Sequence, residues 1–322
     1  MQPVSVYLHS FSLRHHFARH QGFDIFAFIA VAREHGFDGV TISADGPGFG
    51  HLGGTDSRHF TAVHDALVAH ELGVELETGD TRPQHLHLLI EVAAALGADC
   101  LRTRTRHRGT TDDIQKHTVA DLRIAAQRAK ITGVSIVLDN RGEFPGHQLA
   151  EIVQRVDSEY VRALFDYGNS QLVGEDPLAT LDATLPVVGA VYVKDQLIVR
   201  DAGQLRVQGV APGEGALPLE EITARLYVAG VRRFCLKNAW SYAAPLRIGL
   251  ARLPDTPCFA VHDDRPLVDG SKLDPASAVT GEWLALQRGW TWFGTVLAAI
   301  TGDSRLAPGE QHSRDRVARG VS

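Results

Sequence analysis

Short apolar runs alternate along this chain with longer stretches whose apolar residues recur at i, i+3, i+4 and i+7. DIFAFIAVAREHG, TAVHDALVAHELG, HLHLLIEVAAALG and TVADLRIAAQRAKITG carry that period and predict amphipathic helices. The short runs occur in HGFDGVTIS, LGVELETG, LGADCLRTRT, TGVSIVLDN, YVRALFDYGN, VVGAVYVKD and AGVRRFCLKN, and the opening VSVYLHSFSL supplies an eighth. Most follow a helix-like segment and a glycine, the residue that ends a helix in the left-handed conformation. The runs are almost continuously apolar, as strands covered on both faces should be. Eight such strands alternating with helices over residues 1–300 predict a single (β/α)₈ TIM barrel. An open, doubly wound sheet is the rival. GFGHLG (48–53) formally fits a dinucleotide-binding glycine pattern, but the next helix begins only near Asp56 or Ser57. A pyrophosphate site needs its glycines to open the helix directly. The segment is therefore read as a flexible loop over the barrel mouth.

Two segments break the alternation. QLIVRDAGQLRVQGVAPGEG (196–215) predicts a two-stranded flap with DAG as its turn, and residues 254–275 form a Pro- and Asp-rich insertion before a last helix near 277–299. The polar stretch 301–322 is expected to be a flexible tail.

Composition narrows the function. Of 322 residues, 44% are hydrophobic and 22% charged, and the formal net charge of −6 comes with no basic stripe, which argues against a nucleic-acid partner. Cys100, Cys235 and Cys258 lie in or beside apolar runs without CxxC spacing and read as buried free thiols. The opening residues lack a basic region followed by an apolar one, and no apolar stretch reaches the ~18 residues a membrane helix needs. No membrane association is expected, and a cytoplasmic location is.

Active sites of such barrels lie at the C-terminal ends of the strands. Those ends carry His9 on the first strand, Glu77 on the third, Arg102 and Arg104 on the fourth and Asp139 on the fifth. Asp166 ends the sixth, Lys194 the seventh and Lys237 the eighth; Tyr192 shares the face of Lys194. Polar groups from most of the strands converging on one mouth predict a small, polar ligand. The planar forks of Arg102 and Arg104 suit a carboxylate or phosphate, and Glu77, Tyr192, Lys194 and His9 join them as substrate-binding candidates.

FDYGNSQLVGEDPLATL (165–181) resembles the D-T-G-N … G-E-D-P segment of the sugar-phosphate isomerase/epimerase family, the xylose-isomerase-like barrels. VLDNRGEFPGHQLAEIVQRV resembles that family's fifth strand and the helix after it. VYVKD is similar to its H-V-H-L-K-D, and APGEGALPLEEI to its G-E-G loop. The resemblance implies one divalent metal, Mn or Mg, held by Glu, Asp, His and Glu on strands five to eight. Asp139 stands at the first Glu position and Asp166 at the Asp. Ala190 and Tyr192 occupy the histidine positions, and Lys237 the last Glu position. A protonated lysine cannot ligate a cation and repels one, so a site without tightly bound metal is expected, with no cofactor favoured.

The resulting expectation is an enzyme that moves protons next to a carbonyl of a sugar-like or polyhydroxylated substrate. Asp166 and Asp139 serve as base and acid, and Lys237, its charge held by both, stabilises the enolate. Two alternatives stay open: a lyase or aldolase-like enzyme with Lys237 as Schiff-base nucleophile, and a catalytically inactive barrel that binds a ligand. Barrels of this kind often pair through their loops, which admits a homodimer.

Overall fold

The computed structural model describes residues 3–141, 143–246 and 258–307. Its strands are β1 (Ser5–His9), β2 (Gly39–Ser43), β3 (Gly73–Glu77), β4 (Cys100–Thr103), β5 (Ser135–Asp139), β6 (Val161–Asp166), β7 (Val188–Val193), β8 (Asp195–Asp201), β9 (Gln204–Val210), β10 (Arg233–Leu236), β11 (Ala243–Pro245) and β12 (Val261–His262). The helices are α1 (Arg14–Arg19), α2 (Ile25–Glu34), α3 (Ser57–Ala69), α4 (Pro83–Ala95), α5 (Thr111–Thr132), α6 (Gly146–Val156), α7 (Pro177–Thr184), α8 (Leu219–Val228) and α9 (Pro275–Thr301).

β1 to β7 and β10 close into a parallel barrel in the order β1-β10-β7-β6-β5-β4-β3-β2, the (β/α)₈ TIM barrel read from the alternation. All eight apolar runs became its staves. The main core lies between barrel and helices, where Phe28 and Ile29 of α2, Leu89 and Ile90 of α4 and Leu122 of α5 are fully buried. Aspartates fix several helix starts: the Asp24 carboxylate accepts from the N–H groups of Phe26 and Ala27, and Asp56 from that of His59.

One glycine has a different role from the one its position predicts. In ELG (71–73) the left-handed residue is Glu71, at φ 55°. Gly73 is instead required by Tyr7, whose hydroxyl would lie 1.9 Å from any Cβ placed there. The Tyr7 ring thus fills the barrel interior against the backbone of β3.

β8 and β9 pair antiparallel from Asp195↔Val210 to Asp201↔Gln204, with Ala202 and Gly203 both at positive φ in the turn. β11 adds to β9 and β12 to β8, so the hairpin is the centre of a four-stranded side sheet. Residues 254–257 of the insertion and 308–322 of the tail lie outside the described residues. The glycine-rich loop after β2 is packed rather than loose: Leu52 is buried, and the His51 ring stacks on Phe17 at 4.2 Å between centroids. Among the described residues no helix is long and apolar enough to cross a membrane.

Candidate active site at the C-terminal mouth of the barrel

Strand register sets which side chains meet. Glu77 pairs with Arg102 across β3 and β4, and Asp166 with Tyr192 across β6 and β7. Beyond Leu236, the Lys237 N–H still donates to Val193 O (2.8 Å), which brings Lys237 level with Lys194. His9, Glu77, Arg102, Asp139, Asp166, Tyr192, Lys194 and Lys237 are joined by the contacts described below.

The Lys237 ammonium lies 3.5 Å from Glu77 Oε2 and 3.9 Å from Asp166 Oδ2. It also stands 4.6 Å from the centroid of the Tyr192 ring, whose face favours a cation. The carboxylates that hold Lys237 are therefore Glu77 and Asp166, which corrects the expected pairing with Asp139. Asp139 instead bonds the Arg102 guanidinium through Oδ2 and accepts from Asn169 Nδ2 through Oδ1 (3.1 Å). Burial acts to raise the Asp139 pKa, but Arg102 and Lys237 outweigh it and hold the carboxyl below its ordinary range. With both oxygens engaged and the ionised form favoured, Asp139 is poorly suited to the acid role expected of it. Arg102 is spent on the same contact. It is 1% exposed, donates to Thr78 O (2.9 Å) and approaches Glu77 Oε2 at 3.7 Å, so it is not the free substrate fork that the sequence led us to expect.

Asp166 Oδ1 meets Lys194 Nζ at 3.0 Å and accepts the Gly168 N–H at 3.2 Å. Oδ2 is buried and has no hydrogen-bond partner. Lys194 is anchored further by Asn169 Oδ1 at 2.6 Å, so Asn169 ties Asp139 to Lys194. Sequence reasoning named no role for Asn169, although it stands inside the DYGN segment (166–169). The Tyr192 hydroxyl is likewise buried without a partner, and burial pushes its pKa well up, so it stays protonated.

His9 accepts the Phe11 N–H at Nδ1 (3.0 Å), which leaves Nε2 to donate to Glu77 Oε2 (2.8 Å). Burial pushes His9 down to about 4, aided by Lys237 and Arg102 and opposed by Glu77. Burial would raise Glu77, but Arg102, Lys237 and His9 together hold it well below the usual carboxylate range. The His9 shift has a consequence for stability. Below pH 6.5 the unfolded chain takes up a proton that the folded protein refuses until about pH 4, so stability falls as pH drops through that window. The full effect is up to about 3 kcal/mol. Urea unfolding at pH 7, 6 and 5 checks it: the decline should be shallower for His9→Gln. Some slope remains in that variant, because His51 is also held down to about 4 by burial.

Arg104 reaches the rim, with Nη2 3.6 Å from Asp45 Oδ2 and its buried Nε without a hydrogen-bond partner. Arg106 takes the same Asp45 more closely, at 2.8 and 2.9 Å. Burial and the repulsion of Arg141, Arg106 and Arg102 lower the pKa of Arg104. Among the remaining histidines, His15 and His16 are buried, and His16 Nδ1 meets Glu282 of α9 at 2.8 Å, an interhelix contact between α1 and α9.

A family model described as a xylose isomerase-like TIM barrel matches residues 29–245. The chain belongs to this family. A curated relative, the uncharacterized protein YihM of Escherichia coli (strain K12), is 24% identical over 249 residues, covering 76% of this chain and 75% of its own. Among solved structures, the IolI protein with a bound zinc atom superposes at a TM-score of 0.64, with 14% identity over 93% of this chain and 100% of that one. The D-psicose 3-epimerase of Clostridium cellulolyticum H10, solved with D-tagatose, superposes at 0.61, with 13% identity over 88% and 98% of the two chains. At these identities the structural likenesses show the fold.

The donor set at this mouth does not fit the metal that xylose isomerase-like barrels lead one to expect. Among the described residues no three His, Cys, Asp or Glu side chains gather as a metal-binding group. The carboxylates that do converge are already met by Arg102, Lys194 and Lys237.

Proposed function

We propose that the protein is an enzyme of the isomerase/epimerase type that moves a proton next to a carbonyl of a sugar-like substrate, with the Lys237 ammonium supplying the positive charge a metal would bring. One observation carries this reading: a buried carboxylate oxygen without a hydrogen bond, Asp166 Oδ2, stands 3.9 Å from the Lys237 ammonium. Such a pair can take the proton α to a carbonyl at the carboxylate while the negative charge develops on oxygen beside the ammonium. The carboxyl of Asp166 then returns the proton to the neighbouring carbon, while the hydroxyl proton passes to the former carbonyl oxygen, for isomerisation, or to the same carbon for exchange with solvent. Glu77, on the other side of Lys237, keeps the ammonium in place, and the protonated Tyr192 hydroxyl is left to hydrogen-bond a substrate oxygen. The named activity of the epimerase with the same fold is compatible with this chemistry.

The test is incubation in D₂O with a panel of aldoses, ketoses and sugar acids, read by mass spectrometry for deuterium next to the carbonyl. Incorporation that needs the protein and survives exhaustive chelation supports the reading. A parent protein purified without added ions that carries stoichiometric, tightly held transition metal overturns its metal-free form. The Schiff-base alternative has less in its favour, because the Lys237 head group is held between two carboxylates rather than presented as a free amine. Borohydride trapping of an adduct on Lys237, with no deuterium incorporation, would decide for it.

Arg104 also bears on the substrate. Its partnerless Nε and distant contact to Asp45 make it the rim fork left for an anionic group, a carboxylate or a phosphate. Arg104→Gln is therefore expected to raise KM for an anionic substrate about tenfold with a smaller effect on kcat. Steady-state kinetics on matched charged and neutral substrates check this; equal effects on the two would remove Arg104 from recognition.

A further inference from the structure

At the end of the barrel opposite the mouth, a cavity of roughly 720 Å³ opens to solvent. It is remote from Lys237 and Asp166, and the proton chemistry stays with them, since catalytic groups of such barrels stand at the other ends of the strands. The floor of the cavity is the barrel interior: Cys100, Val137 and Ala190, with the Glu75 carboxylate beside them. Barrel interiors are usually filled by layers of bulky branched side chains. Here Cys100 at the start of β4 and Ala190 within β7, both on the cavity wall, are small. Cys100 and Ala190 keep 6% and 8% exposure although both belong to the interior. The volume falls within the range that encloses small ligands, about 300–1,000 Å³.

The charges at the entrance do not cancel. Arg233 meets both carboxylates of the cavity lining, with Nη1 3.0 Å from Glu75 Oε1 and 2.8 Å from Asp99 Oδ1. The hydrogen bonds of Arg162 and Arg232 go to carbonyls: Arg162 donates to Val188 O (3.1 Å), and Arg232, stacked over the Tyr227 ring at 4.3 Å, to Tyr227 O (2.7 Å) and Val231 O (2.9 Å). Neither meets a carboxylate among the described residues. Three guanidinium groups against two carboxylates leave one positive charge above an apolar floor. We infer that this cavity is a second ligand site, one that takes a small organic monocarboxylate. The apolar body packs on Cys100, Val137 and Ala190, and the carboxylate is bound by Arg162 and Arg232.

Titration calorimetry on the full chain tests this with sodium benzoate and sodium hexanoate as probes, and with benzyl alcohol and inorganic phosphate as controls. At least one carboxylate should saturate a single site, and both controls should bind at least about tenfold more weakly, since each lacks either the charge or the apolar body. The double change Arg162→Gln, Arg232→Gln should weaken carboxylate binding about tenfold or more. Ala190→Leu, which fills the floor, should abolish binding; if that variant fails to fold, the arginine pair decides. Lys237→Ala should leave binding unchanged. The inference is overturned if neither carboxylate saturates, or if phosphate binds as well as they do. It is also overturned if binding is lost in Lys237→Ala but kept in the arginine variant, which would place the probe at the mouth.

Discussion

Asp166→Asn is expected to lower deuterium incorporation into substrate by about 10²–10⁴-fold, the range lost when a positioned general base is removed. The amide keeps the shape of the carboxyl, and its oxygen can still accept the Gly168 N–H and the Lys194 ammonium that Oδ1 serves now. What disappears is the charge on a buried carboxylate oxygen that stands beside Lys237 and is committed to no hydrogen bond. The thermal unfolding midpoint should therefore move far less than the activity. Asp139→Asn supplies the contrast. There the amide can satisfy only one of Arg102 and Asn169 in the way the carboxylate does, and Arg102 is left buried with its charge poorly answered. That variant should show its loss chiefly as destabilisation, of the order of 3 kcal/mol, in a urea titration. If Asp166→Asn kept more than a tenth of parental exchange while folded, Asp166 would not be the base.

The barrel could be read from the chain because each strand is a self-contained signal, an apolar run set off by helical periodicity. β11 and β12 escaped that reading for a physical reason: with three and two residues, they are too short to show any alternation, and only pairing with β9 and β8 defines them. The mouth was legible to the same depth. Strand ends located Glu77, Arg102, Asp139, Asp166, Lys194 and Lys237, yet not who meets whom. Partner choice depends on register and reach, and neither is written in a single strand. Glu77 lies level with Arg102 and is one methylene longer than Asp139, so it spans to Lys237 and His9 while Asp139 is claimed by Arg102. Asn169 sits three residues past the end of β6, and its bridging role appears only when the turn folds it back between Asp139 and Lys194.

The ion pairs of Lys237 make the metal question open to rebuilding. Lys237→Glu alone places a third carboxylate beside Glu77 and Asp166, where the ammonium now lies 3.5 Å from the first and 3.9 Å from the second. Without a cation the mutual repulsion should destabilise the fold and raise at least one of the three carboxyl pKa values. Adding Tyr192→His supplies an imidazole at the position level with Asp166 in the strand register. The double variant then offers Asp166, the new carboxylate and the new imidazole to a cation, with Glu77 within reach, and it should bind Mn²⁺ at least about 100-fold more tightly than the parent. Binding to the folded state alone stabilises it by linkage, by about 2.7 kcal/mol when Mn²⁺ is at 100 times its dissociation constant. The unfolding midpoint of the double variant should therefore climb with Mn²⁺ concentration while that of the parent stays level. This readout is independent of catalysis, so it tests the electrostatic substitution even before a substrate is found. A midpoint in the double variant that ignores Mn²⁺, Co²⁺ and Zn²⁺ alike would mean that the mouth cannot be returned to a metal site by these two changes, and that the ammonium of Lys237 does not stand in for a metal ion.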